Sequence, residues 1–254
     1  MCCFSKAVES VTDTQIFGRI GPKGNQVLIY QMNYKAAEDL SMVLPIPVKP
    51  GSGEKAVTFF DFSGYHSIFT DLHALFPVPK YVADPAGPFG APPAAAPRTL
   101  EVHAVGAYDA SYVPGIADFG RLDERFRLPD HVWGKLPGYR DYGFAVFKLK
   151  AAHRSAHPMA FAFPSALPGS VFFPTLHIHD GQIHDEEEFD HTLYVQGDSL
   201  DLNRGGWQES PSLPVSKVRC GLTHGMIRPE QHVYRNILRG RLKNGDIILD
   251  PKKA

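Results

Sequence analysis

The chain has 254 residues, 43% hydrophobic and 21% charged, with a formal net charge of −1 at pH 7. That length buries a substantial core, and the near-neutral balance excludes the basic surface of a nucleic-acid binder and the charged stripe of a membrane-surface protein. No run reaches the ~18 apolar residues of a spanning helix, and residues 1–10 are short and mixed rather than signal-like, so the expected location is the cytoplasm.

Residues 14–20 and 26–33 are apolar runs around Gly21-Pro22-Lys23-Gly24-Asn25, the pattern of a hairpin with a longer loop. Residues 41–48 contain Pro45 and Pro47, which demote them to an edge strand or an extended segment. Residues 56–62 are β-branched and aromatic and read as a strand. Tyr65, Ile68, Phe69, Leu72, Leu75 and Phe76 recur at helical spacing, so a helix is expected over 65–76, with Ser63 as its cap and Pro77 and Pro79 ending it. Seven prolines in residues 77–97 rule out a regular element there. Residues 77–98 are expected to be a Pro/Ala-rich loop or linker within a single domain, or the boundary between two.

Further on, residues 99–104 read as a strand, 116–126 and 129–136 as short helices, and 142–150 and 158–164 as strands in an antiparallel series. Residues 192–196 form another strand. Residues 233–242 and 246–249 flank Asn244-Gly245, the strongest short hairpin signal in the chain. Arg235, Arg239 and Arg241 alternate along one face of that strand, where they pair with acids or bind an anion. The class is α+β: mainly antiparallel β-sheet or a barrel-like sandwich with a few short helices.

Four of the twelve histidines fall within fifteen residues, 177–191. Asp180-Gly181 is a two-residue turn signal. A hairpin about it sets His179 opposite Gln182, Ile178 opposite Ile183 and His177 opposite His184. His177 and His179 then share a face. His184 joins them from the partner strand with its Cβ roughly 5 Å from that of His177. Neutral imidazoles on rigid strands suit Zn, Fe, Cu and Ni, with Zn–N bonds of ~2.0–2.1 Å. The expected metal ligands are His177, His179 and His184, with His191 or His232 as the fourth. Asp180, Glu186 and Asp190 are further candidate ligands, and Asp185, Asp190 or Glu186 are alternatively orienters of the histidines. The bland alternative is an exposed polar face.

This spacing resembles the first motif of the cupin family. His177-Ile178-His179 is followed by four residues and then His184, which stands where that family has Glu. Gly169 precedes and Gly197 follows. His232-Val233-Tyr234-Arg235-Asn236 matches the ending of the second cupin motif. Over residues 169–236 the resemblance implies a β-barrel holding one ion on His177, His179, His184 and His232.

The chain opens Met1-Cys2-Cys3, and Cys220 is the third cysteine. An odd count with two adjacent residues is no disulfide framework, so reduced thiols are expected. Trimming of Met1 would leave the amine of Cys2 as base for its own thiol. With Phe17-Gly18-Arg19, this start resembles the choloylglycine and penicillin V acylase family. That resemblance implies Cys2 as nucleophile and Arg19 as a substrate-orienting residue. Cys2 and Cys3 also suit a Cu(I) or Zn site.

Three functional readings stay open. The first is a metal-binding protein, as a small-molecule metalloenzyme with a divalent or copper ion and a small-molecule substrate. The second is an amide hydrolase using Cys2. The third is a non-catalytic module that binds an ion or a partner. No nucleic acid or membrane partner is expected.

Overall fold

The computed structural model describes residues 3–76, 102–105, 108–122, 127, 137–179, 182–198, 200, 202 and 205–250. In chain order the strands are β1 (Cys3–Phe4), β2 (Ser10–Ile20), β3 (Asn25–Ala36), β4 (Leu40–Ile46) and β5 (Thr58–Phe60). After helix α1 (Ile68–His73) come β6 (Val102–Val105), β7 (Tyr108–Val113), β8 (Gly143–Leu149), β9 (Ala152–Ser155) and β10 (Met159–Pro164). The series closes with β11 (Val171–Phe173), β12 (Glu186–Gln196), β13 (Gln208–Glu209), β14 (Tyr234–Lys243) and β15 (Ile247–Leu249).

One sheet runs β1-β4-β8-β7-β6. The larger runs β13-β14-β12-β2-β3-β10-β5, with β9 also on β3, and β11 and β15 form a separate pair. The pairs are antiparallel except β12 with β2, which is parallel. This is an α+β sandwich. Both large sheets are open, so the barrel implied by the cupin resemblance does not form.

The main core lies between the sheets. Ile16, Leu28, Tyr30 and Met32 meet Met42, Leu44, Ala145 and Phe147. The larger sheet is apolar on its other face too. Phe17, Ile29 and Tyr194 pack there against Ile68, Phe69 and Leu72 of α1, with Phe76, Met226 and Val233 alongside. Successive residues Ile16–Phe17 and Leu28–Ile29 therefore enter opposite cores, which is why β2 and β3 read as continuous apolar runs.

The expected helix over 65–76 is shorter than its periodicity suggests. Only Ile68–His73 are α-helical. Tyr65 instead donates its hydroxyl to Asp71 (2.6 Å) and accepts the Arg219 amide (2.8 Å). Ser63 does not cap; its amide donates to Asp61. Pro45 lies inside β4, on a stretch of its edge that β1 leaves uncovered, as the edge-strand reading expects. The Ser41 carbonyl accepts the Ser5 amide, so alternate residues 41, 43 and 45 turn their backbone toward β1. β1 reaches only Met42 and Val43, so the missing N–H of Pro45 leaves no partner wanting.

The expected helix over 116–126 is a 3-10 turn at Ile116–Arg121. The strand expected over 99–104 is β6, which begins at Val102. The readings over 77–98 and 129–136 lie outside the described residues. Among the described residues no helix is long and apolar enough to cross a membrane.

The Asn244-Gly245 reversal is present, but its flanks do not pair. β14 lies on β12, whereas β15 crosses to β11. Asp246 decides this. Its carboxylate accepts the amides of Thr175 (2.7 Å) and Leu176 (2.9 Å) and the Tyr139 hydroxyl (2.7 Å), tying the turn to the segment after β11.

Candidate functional site

The segment from Thr175 to His179 is held by backbone rather than by a hairpin. Ile178 is fully buried and bridges Cys3 in parallel, and its carbonyl accepts the Phe4 amide. Residues 182–184 form no strand beside it, and Asp180 and Gly181 lie outside the described residues. The expected register is therefore overturned. Burying Ile178 against β1 outweighs a two-residue ladder at the surface.

Asn244 shapes the return. Its Oδ1 accepts the His177 amide (2.7 Å), and its Nδ2 donates to the carbonyls of His177 and His184 (3.0 Å each). The clamp holds the backbone at both residues, but the His184 side chain stays exposed.

His177 meets other partners. Its ring stacks on Phe189 (4.5 Å between centroids) and lies 4.8 Å from His179 and 5.0 Å from His191. Nε2 of His177 lies 3.3 Å from Nε2 of His191, within hydrogen-bond reach, so one neutral ring can donate to the other. His177 and His191 are buried. Burial holds the His177 imidazole down to about 2 and His191 well below the ordinary range. Both are neutral at pH 7. A notch beside them, lined by Val11, Thr14, Glu188 and Asp190 among others, has room for about one water-sized group.

The metal-centre expectation is corrected by this geometry. Among the described residues no group of three His, Cys, Asp or Glu side chains is placed to hold a metal. The rings stack face to face, and His184 points to solvent. His232 is elsewhere, its Nδ1 donating to the Ser210 carbonyl (2.7 Å). Of the outlying acids, Asp190 pairs with Arg239 (3.1 Å) and Glu186 with Arg241 (2.9 Å). The notch beside these rings, with room for about one water, admits no small-molecule substrate.

The amide-hydrolase expectation names Cys2 and Arg19. Cys2 lies outside the described residues, and Cys3 is a buried core residue of β1. Arg19 is 4% exposed and donates from Nε to the Met226 carbonyl and from Nη2 to the Gly225 carbonyl, both at 2.8 Å. It fastens the loop before β14. Asn244 and Asp246 organise this region, and the sequence marks them only as turn residues.

Neither a protein-family model nor a curated protein matches the chain. Solved structures do. Baculovirus P35 matches over 96% of this chain and 96% of that chain, at 14% identity and a TM-score of 0.50. A mutated baculovirus P35 after caspase cleavage matches over 94% of this chain and 99% of that one, at 15% identity and a TM-score of 0.50. A caspase-8/P35 complex matches over 94% and 96%, at 14% identity and a TM-score of 0.49.

The fold is that of baculovirus P35. The cupin and acylase resemblances are withdrawn on this finding. Motifs of three to five residues carried them, whereas the P35 fold accounts for nearly the whole chain.

Proposed function

We propose that this chain binds a caspase-type cysteine protease and is cut by it. The P35 fold across 94% of the chain supports this reading, since one P35 of that fold is described as caspase-cleaved. Caspases attack the carbonyl after an aspartate with a cysteine thiolate. Between Phe76, buried beside α1, and Val102, where β6 begins, the sequence Tyr81-Val82-Ala83-Asp84-Pro85 holds the sole Asp. We assign Asp84 as the residue offered to the protease. Pro85 supplies the leaving nitrogen of that bond and, lacking an N–H, slows the cut, which suits an inhibitor better than a substrate.

The test incubates the full chain with purified active caspases and follows residual protease activity, fragment masses and a covalent complex on denaturing gels. The expected result is loss of activity, with any fragment ending at Asp84, and no effect from Asp84→Ala. Unchanged protease activity with an intact chain overturns the reading. Cleavage at another aspartate overturns the assignment of Asp84.

A further inference from the structure

We propose that the free edge of β14, residues 237–243, takes up an extended acidic peptide segment of another protein as an added strand. The direction of each backbone group can be read from the strand's two ends. The Val233 carbonyl accepts the Ser210 amide on the β13 side, whereas the Asn244 amide donates to Asp185 on the β12 side. Backbone direction alternates along a strand, so Ile237, Arg239, Arg241 and Lys243 turn their N–H and C=O groups away from β12. β13 covers only Tyr234 and Arg235. Among the described residues no strand covers the rest. Gly205 and Gly206, both with positive φ (65° and 83°), precede β13, and the Gly205 carbonyl accepts Asn236 Nδ2 (3.0 Å).

Side chains select the occupant. The outward residues share one face, where Ile237 is 47% exposed and Arg239, Arg241 and Lys243 are exposed. On β12 their opposites are Thr192, Asp190, Glu188 and Glu186. A basic column therefore stands beside an acidic column, with its other flank open. An added strand with carboxylates at alternate positions would complete an acid-base-acid arrangement. β13 already shows this mode, for Gln208 lies opposite Arg235 and accepts its guanidinium (2.8 Å).

A second copy of this chain fits worse. Two-fold antiparallel pairing about Gly240 sets Arg239 opposite Arg241 of the other copy, and like charges directly opposite are destabilising. The basic row thus excludes self-pairing and admits an acidic strand.

The test uses the full chain and a fluorescein-labelled Thr-Glu-Val-Glu-Val-Glu-Thr peptide, with the lysine-for-glutamate peptide as control, read by anisotropy. The glutamate peptide is expected to bind saturably below about 1 mM and the control not to bind. Arg241→Pro removes an outward N–H and no backbone bond to β12; the ion pair it loses with Glu186 is exposed, so it should keep the fold and lose binding. Arg241→Glu with Lys243→Glu should weaken it about tenfold. Hydrogen exchange of the unsubstituted chain should show new protection at the amides of residues 239, 241 and 243 when peptide is added, which keeps the test decisive if Arg241→Pro does not fold. No saturable binding, equal binding of both peptides, or no new protection overturns the proposal. A dimer in solution that the Arg241 and Lys243 charge reversal strengthens or leaves unchanged would assign the edge to a second copy and also overturn it.

Discussion

Nε2 of His177 and Nε2 of His191 approach to 3.3 Å inside an aromatic stack with Phe189. A proton added to either ring would enter a buried, uncompensated site. His177 has a folded pKa of about 2, below its ordinary 6.5. The unfolded chain therefore binds more protons, so stability is complete above about pH 6.5 and falls as pH drops toward 2. At pH 5 this ring alone costs roughly 2 kcal/mol. Urea midpoints should fall between pH 7 and pH 5, and fall less in a His177→Phe, His191→Leu variant. An equal fall in both proteins would contradict the assignment of this pH dependence to the buried pair.

Asn244 and Asp246 clamp the segment that carries His177. Asp246→Ala orphans the amides of Thr175 and Leu176 and the Tyr139 hydroxyl, and should cost about 3 kcal/mol. Asp246→Asn keeps one acceptor and should cost about half as much. Asn244→Ala should free residues 177–184 for proteolysis with a smaller global loss. Thermal melts and limited proteinase K digestion read the two effects separately.

Gly18 marks the closest approach of β2 to β11. A Cβ there would meet Val171 Cγ1 at 2.7 Å and the Phe173 ring at 3.1 Å. Gly18→Ala should destabilise by about 1–3 kcal/mol through overpacking. Val171→Ala should relieve part of that cost when the two are combined, a coupling that a double-mutant cycle measures.

Arg19 links β2 to the loop before β14 through two backbone carbonyls. Arg19→Met keeps the stem and removes both bonds. Faster hydrogen exchange around residues 223–228 should follow, at a cost of about 2–3 kcal/mol. Arg19→Lys should restore one bond and part of the protection.

Much of the sheet was legible because apolar alternation and turn chemistry are local. The strands at 14–20, 26–33, 142–150 and 158–164 emerge close to their observed bounds. The histidine site was not legible, since its geometry depends on what lies across the fold. Asp180-Gly181 and Asn244-Gly245 both look like hairpins in sequence. No ladder joins 177–179 to 182–184, and β14 and β15 separate into different pairs, because Ile178 finds β1 and Asp246 finds Thr175 and Leu176.

By itself, the sequence determined the class of this protein: an apolar, β-rich α+β chain whose strands bury one or both faces. The tertiary structure alone decided which strands became neighbours. That choice drew His191 toward His177 and sent His184 to solvent, and it left the outer edge of β14 without a partner strand among the described residues. The physical reason is range. A residue's spacing sets its face on a strand, but burial and hydrogen bonds between distant segments set what that face meets.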